Sequence, residues 1–428
     1  MRERQSIISI VDDGLCLSCG TCVAICPKEA IVLELEWDSG MYNPNVDISL
    51  CNRCGLCLEL CPGGSVDLIQ MTRDIFGEDP VNPLIGNYID CHIGHSNDPD
   101  LRYNASSGGV VTAVLIQALD MGLINGAVLT RMNKDRPLEP EPFIARTKQE
   151  ILEAMGSKYC PVPLNLIIRD LLKAEKHEKF AIVGLPCHIH ALRKLESRNR
   201  ALAEKIVIHI GIICSKCPSF LATRYLLNRY NIEPKAVKKI SYRGRGYPGG
   251  MTIELQNTKE KQIPFSDYYD TSFGQFFSPK RCRLCIDFAA ELADISVGDV
   301  FFDHLEEVDN MGSSLLITKT LAGKLFLENT ASALVIKPSS ADRFVSGCKR
   351  NICFKKANTR LKGILLGSKI PQYTTYPSPK PSLDSTVYNL CLLGIYRIGN
   401  TIACRQELWK LLQWYGRFIR YTSNLFLK

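Results

Sequence analysis

Residues 16–27 read CLSCGTCVAICP and residues 51–62 read CNRCGLCLELCP. One spacing, C-x2-C-x2-C-x3-C-P, occurs twice, carried by Cys16, Cys19, Cys22 and Cys26 and again by Cys51, Cys54, Cys57 and Cys61. Three cysteines two apart suit three corners of one [4Fe-4S] cubane, because a tight turn brings their thiolates together. The fourth, just before Pro27 or Pro62, lies too far along the chain to join them. Zinc sites also use C-x2-C. Four ligands complete a zinc site, however, which leaves no role for a third close cysteine or a trailing Cys-Pro.

The spacing resembles that of bacterial two-cluster ferredoxins, in which the cysteine before proline serves the other cube. That resemblance implies crossed ligation. Cys16, Cys19, Cys22 and Cys61 are expected around one [4Fe-4S] cluster, and Cys51, Cys54, Cys57 and Cys26 around the second.

The chain of 428 residues is long enough for two or three domains and a sizeable core. It starts without a signal-peptide pattern, and its longest uncharged apolar run, residues 385–396, is far short of the ~20 residues of a membrane helix. Nineteen cysteines without a secretion signal point to metal ligation in a reducing compartment, with the cytoplasm as the expected location. Net charge is +8 but uneven. Residues 1–75 hold 5 Lys/Arg and 11 Asp/Glu (5 − 11 = −6), leaving 47 against 33 (+14) for the remainder. An acidic electron-transfer module on a basic body predicts docking between them. No helix-turn-helix, zinc-finger or RNP signature supports nucleic-acid binding by the basic body.

Residues 76–84 read as a linker with two prolines. Ser106-Ser107-Gly108-Gly109 then leads into VVTAVLIQALDMG, apolar on nearly all sides and predicted as a buried helix. Such a junction offers backbone N–H groups and the positive helix end to a phosphate, although Ser-Gly before a helix is also ordinary N-capping. Strand candidates follow at residues 126–130, 179–183, 205–213, 237–242, 251–256, 293–300 and 314–318, alternating with helical segments. They predict an α/β body, with a hairpin around the loop RGRGYPGG. No G-x-G-x-x-G follows a strand, so a Rossmann fold has no support. Pro371, Pro377, Pro379 and Pro381 mark an extended linker over 371–382. Residues 387–428 carry 6 Lys/Arg against 1 Asp/Glu, interleaved with Trp409, Trp414, Tyr415 and Phe418. This helical tail suits packing on its own body, a membrane surface, or a partner subunit.

Cysteines recur in the body at turns. Cys187 and Cys214 each follow a strand candidate, and Cys282 and Cys285 form a C-x2-C pair. Four thiolates converging there would make another metal site, for iron–sulfur or zinc. Cys217, which forms a C-x2-C pair with Cys214, could displace one of them.

Six stretches, SSGGVVTAVL, GSKYCPV, GLPCHI, IGIIC, YRGRGYPGG and CRLCIDFAAELADISVGD, occur in an order that resembles the coenzyme F420 hydrogenase/dehydrogenase beta subunit family. The resemblance covers residues 87–299. It implies FAD binding, a third [4Fe-4S] cluster on Cys187, Cys214, Cys282 and Cys285, and reduction of an organic acceptor. It assigns Ser106, Ser107, Gly108 and Gly109 to the flavin pyrophosphate loop, with Gly156, Ser157, Lys158 and Tyr159 nearby. Arg243 and Arg245 are candidates for an anionic acceptor such as coenzyme F420. His188 stands where the family usually has glutamine, and it is the candidate for a bond to the Cys187 sulfur or for a proton relay.

The expected architecture is therefore an α+β ferredoxin-like 2[4Fe-4S] module (1–75), an α/β flavin-binding body (85–343, in parts 85–165 and 166–343), the linker 371–382, and a basic helical tail (383–428). The expected function is an iron–sulfur flavoprotein oxidoreductase, taking electrons from a ferredoxin-type donor through the clusters to FAD and on to a small organic acceptor, with coenzyme F420 a candidate. The alternative is an electron-transfer subunit whose substrate site lies on a partner.

Overall fold

The repeat in sequence is a repeat in backbone. Ser18 and Arg53 both adopt left-handed φ of 55°, and Gly20 and Gly55 follow at 84° and 81°. These positions bend the chain inside each C-x2-C pair. Each glycine then opens a one-turn helix, Thr21–Ala24 or Leu56–Glu59. The computed structural model describes residues 6–269, 272–300, 310–376 and 383–426. Between the two cysteine turns, β1 (Ile31–Glu36) and β2 (Met41–Val46) form an antiparallel hairpin. A short strand, β3 (Ser65–Asp67), follows the second turn.

The body is built on an eight-stranded sheet. Its strands are β4 (Asp90–Ser96), β5 (Gly126–Met132), β6 (Pro140–Ala145), β7 (Phe180–Gly184) and β8 (Ile206–Ile212). After a separate three-stranded sheet of β9 (Val237–Ser241), β10 (Gly250–Leu255) and β11 (Glu260–Pro264), the chain returns to it with β12 (Ile295–Asp299), β13 (Ser314–Thr318) and β14 (Leu334–Ser339). The order is β14-β4-β13-β12-β8-β7-β5-β6. The four strands β12, β8, β7 and β5 run parallel, and the others pair antiparallel. β7 shows why these run as continuous apolar stretches: Phe180 and Ile182 face one core and Ala181 the other, all fully buried. The helix Val110–Asp120 is buried over most of its surface, as its all-round apolarity predicts.

The module docks on the body through the cations that the charge split predicts. Arg169 donates to the carbonyls of Val23 (2.8 Å) and Ala24 and pairs with Glu29, and Lys194 donates to the Ser65 carbonyl (3.1 Å). The approach is close: a Cβ on Gly20 would lie 3.0 Å from the Pro163 carbonyl.

One expectation for the C-terminal region needs correction. Within the expected linker 371–382, residues Gln372–Thr374 form β15, which pairs in parallel with β3 of the module. Pro377, Pro379 and Pro381 lie outside the described residues. The tail folds into helices Leu383–Ala403 and Trp409–Phe426, and Ala403, Trp409 and Leu412 are buried in the same core as Tyr225, Phe276 and Phe277. It packs on its own body, while Trp414 and Phe418 stack on each other at the exposed face. No helix among the described residues is long and apolar enough to cross a membrane.

Candidate functional site

In the module, Cys16, Cys19, Cys22 and Cys61 line one small apolar cavity with Ile7, Ile10 and Leu33. The fourth cysteine of the second repeat thus joins three of the first. Burial pushes the Cys16 thiol up to about 12, and the charges of Cys19 and Cys61 add to the shift. Cys26 packs with Cys51 and Cys57 under Ile31 and Val46, and Cys57 feels the charges of Cys54 and Cys51.

The body cysteines come together from three places. Cys187 lies in the first turn of helix Pro186–Glu196, after β7; Cys214 follows β8; Cys282 and Cys285 lie at helix Lys280–Arg283. Burial raises the Cys187 thiol well above its ordinary range, followed by the charges of Cys214, Cys19, Cys285 and Cys282. Cys214 is likewise raised, to about 12, by burial and by Cys282 and Cys285. Cys19 belongs to the module cavity, so the two cysteine sets are electrostatic neighbours. Among the described residues no group of three or more Cys, His, Asp or Glu closes around a single ion. Four thiolates gathered in this way suit an iron–sulfur cluster or a zinc ion. Cys217 is close as well, but its sulfur donates to the Cys160 carbonyl (3.2 Å).

The carboxyl ends of the four parallel strands open onto a cleft of about 500 Å³, the position where open α/β sheets bind ligands. Its walls carry Ser106, Ser107, Gly109, Gly156, Ser157, Lys158, Tyr159 and Arg243, and Cys214 and Cys217 reach it from the other side. Ser106 Oγ accepts from the Ser157 N–H (2.7 Å) and hydroxyl, which ties the two predicted loops together. Ser107 shares a hydrogen bond with Ser314 (2.7 Å). With both hydroxyls so engaged, no side chain caps the first turn of helix Val110–Asp120, whose Val110, Val111 and Thr112 line the cleft. Lys158 donates to the carbonyls of Ala154, Met155 and Gly156, and burial pulls its pKa down to about 7.

Arg243 is buried, with Nη1 on Asp299 (2.7 Å) and Nε on the Pro248 carbonyl (3.2 Å). Burial opposes its charge, and Asp299 and Tyr159 more than restore it. Among the described residues its Nη2 is buried without a hydrogen-bond partner, an orphaned donor suited to an anionic ligand. Tyr269 lies 4.8 Å from Phe265 and 4.9 Å from Tyr159, giving the cleft an aromatic wall. Asp299, Phe265 and Tyr269 were missed by the sequence reading. Asp299 ends a strand, the same signal that marked Cys187 and Cys214.

Three expectations change. Gly108 does not line the cleft: a Cβ there would meet the Gly94 carbonyl at 2.6 Å and the Ser314 nitrogen at 2.8 Å, so it is a packing glycine between β4 and β13. Gly109 does reach the cleft, but with φ +74° and Leu101 at 2.5 Å from a Cβ, it also tolerates no side chain. His188 bonds neither the Cys187 sulfur nor a free proton path. Its Nδ1 accepts from Leu185 N–H (3.2 Å) and its Nε2 donates to the Val162 carbonyl (3.0 Å), while burial lowers its pKa to about 4 and keeps it neutral. Arg245 is engaged by both oxygens of Glu260 at the surface, which leaves Arg243 as the cleft cation of that loop.

Comparison with known proteins agrees with this layout. Residues 91–169 and 177–343 match the N-terminal and C-terminal parts described as coenzyme F420 hydrogenase/dehydrogenase, beta subunit, and residues 15–65 match a 4Fe-4S dicluster domain. The coenzyme F420 hydrogenase subunit beta of Methanothermobacter thermautotrophicus is 27% identical over 62% of this chain and 89% of its own length. The coenzyme F420-dependent sulfite reductase of Methanocaldococcus jannaschii is 28% identical over 68% of this chain and 43% of its own. A chain of the F420-reducing [NiFe] hydrogenase complex from Methanosarcina barkeri shares the fold, with a TM-score of 0.51 at 22% identity over 64% of this chain and 92% of that one. With two cysteine sets in reach of each other, a cleft at the strand ends, and both parts of the family matched in order, this chain belongs to the coenzyme F420 hydrogenase/dehydrogenase beta subunit family and carries a 4Fe-4S dicluster domain at its N-terminus.

Proposed function

We propose that the chain is an iron–sulfur flavoprotein oxidoreductase that exchanges electrons between a redox partner protein and a small organic acceptor at the cleft. The observation that carries this reading is the continuity of the site. Cys19 of the module cavity lies within electrostatic reach of Cys187, Cys187 with Cys214, and Cys214 lines the cleft. In this reading Cys16, Cys19, Cys22 and Cys61 hold one cubane, Cys51, Cys54, Cys57 and Cys26 the second, and Cys187, Cys214, Cys282 and Cys285 a third. Cys217 is left out because the family resemblance assigns the other four; its sulfur donates to the Cys160 carbonyl (3.2 Å).

The cleft fits FAD. The uncapped helix start and the orphaned Arg243 donor suit a diphosphate, and the wall of Tyr159, Phe265 and Tyr269 suits a flat ring. A bound flavin supplies the step between one-electron and two-electron chemistry. The chain's own residues bind and orient: Ser106 fixes the two loops, Arg243 keeps the wall positive, and Leu115, Leu129 and Val183 give the cleft an apolar side. Coenzyme F420, named in the relatives, is the organic acceptor this reading favours.

A second reading rests on one relative being part of a multi-subunit complex: the same electron path with the acceptor site on a partner subunit. Anaerobic purification with iron, sulfide, zinc and flavin quantification tests both. About twelve irons and one FAD per chain are expected, from three cubanes and one flavin. Stoichiometric zinc or absence of flavin after reconstitution would overturn the first reading, and flavin without reduction of any two-electron acceptor would favour the second.

A further inference from the structure

Five cations surround the body cysteines: Lys216, Arg281, Arg283, Lys355 and Lys362. Four of them are almost completely buried, at 1% (Arg281), 8% (Arg283), 3% (Lys355) and 2% (Lys362) exposure. Among the described residues, their hydrogen-bond partners are neutral groups, and none forms an ion pair with a carboxylate. Arg281 donates to the Pro62 and Gly63 carbonyls and the Tyr373 hydroxyl, and Arg283 to Gln275 and Ser278. Lys362 donates to the Phe354 (2.7 Å) and Lys355 (3.2 Å) carbonyls. Burial opposes the charge of Lys355, and the charges of Cys285, Cys214 and Cys282 beside it more than restore it. The nearby carboxylate, Asp287, is occupied by His190 (2.8 Å) and the Glu291 N–H (3.0 Å). Among the described residues, Arg281 Nη1 and Arg283 Nε have no hydrogen-bond partner. Burying so many unpaired cations together is costly unless a buried anion accompanies them. A cubane on four thiolates is such an anion, and reduction makes it more negative.

Lys355 and Lys362 stand on helices Lys349–Lys356 and Thr359–Leu366, beyond residue 343 where the family match ends. This segment is fastened over the C-x2-C pair. Leu366, Leu393 and Tyr396 share a core with Leu284 and with Leu15 of the module, and the Tyr396 hydroxyl donates to the Ser278 carbonyl (2.7 Å). We propose that the segment after residue 343 is the electrostatic cover of the body cluster, and that Lys355, against Cys285, sets that cluster's reduction potential. This rests on the reading of Cys187, Cys214, Cys282 and Cys285 as cluster ligands. A cation at the sulfur favours the reduced, more negative state and so raises the potential.

The test is an EPR-monitored redox titration of the full chain, reconstituted anaerobically with iron and sulfide. The body signal is identified as the one missing in Cys285→Ser. Lys355→Met is expected to keep its iron and to lower the reduction equilibrium of that signal at least tenfold, about 59 mV for a one-electron couple. Lys355→Arg should stay near wild type, Lys362→Met should shift less in the same direction, and the module signals should not move. An unchanged midpoint in Lys355→Met overturns the proposal. So does loss of the cluster in both Lys355 variants with no shift in Lys362→Met, which would make the lysine merely structural. A wild-type protein with module iron alone would instead overturn the underlying ligand reading, and the proposal with it.

Discussion

The module cavity draws three of its four cysteines, Cys16, Cys19 and Cys22, from two consecutive turns and only Cys61 from the other repeat. The body draws Cys187, Cys214, and the pair Cys282 and Cys285 from the ends of separate elements. The first arrangement is held by local backbone, with left-handed residues at equivalent positions of both repeats. The second exists only if β7 and β8 lie side by side and the segment before β12 folds back over them. Damage to the sheet should therefore separate the two sites, and damage to single ligands should show how independent they are.

The largest effect is expected from Gly108→Val. The added side chain would press on the backbone of β4 and β13 rather than on movable side-chain tips. Overpacking of this kind costs about 3 kcal/mol or more where backbone cannot yield. Denaturant unfolding followed by far-UV circular dichroism should show the loss, and a wild-type midpoint would mean that the two strands can part at little cost.

Next in size are the ligand replacements. Cys282→Ser should remove roughly one third of the iron, one cubane of three, and leave the module signals intact. Cys57→Ser should remove a module cluster and leave the body signal. Iron and sulfide assays with EPR check both, and full iron in Cys282→Ser would remove the body site from the argument.

The contrast also explains what could be read from the sequence. The cysteine repeat is local, so its spacing gave the module, and the resemblance to two-cluster ferredoxins implied the crossed partner. The strands before Cys187 and Cys214 were legible because their apolar runs stop at a Gly-Leu-Pro turn or a cysteine. β4, DCHIGHS, was missed because its polar residues break the alternation, and its partners β13 and β14 lie more than two hundred residues on. β15 hid between prolines, and its pairing with β3 joins distant parts of the chain. Lys355 and Lys362 drew no reading from the sequence; only the fold shows them buried beside the C-x2-C pair. Gly108 and Gly109 read as one phosphate loop, whereas packing assigns the first to the sheet and the second to the helix start.

Within the cleft, Arg243→Met should weaken FAD binding by ten- to a hundredfold, the range of one hydrogen bond to a charged group at about 1.5–3 kcal/mol. Iron content should stay at the wild-type level, because no cysteine depends on the arginine. Flavin fluorescence titration of the reconstituted apoprotein checks the first point and an iron assay the second. Undiminished FAD affinity would take the orphaned Nη2 out of the flavin site. Combined loss of iron and flavin would mean that cleft and clusters are less separable than the comparison holds.

The smallest effect is expected at His188, although it lies next to Cys187 and lines the cleft. Both ring nitrogens are spent on backbone, one on Leu185 and one on Val162, so the residue holds the start of helix Pro186–Glu196 against the strand of chain at Val162. Neutral at working pH, it contributes no charge to tune a cluster and no proton to relay. His188→Gln supplies an amide that can both accept and donate, so the two bonds can be kept in kind. The cost should stay within about 1 kcal/mol, the net worth of one imperfect hydrogen bond. Cluster potentials and turnover should match wild type. A shifted body-cluster midpoint with unchanged stability would show that the ring acts on Cys187 after all, and would make this local helix start part of the redox site.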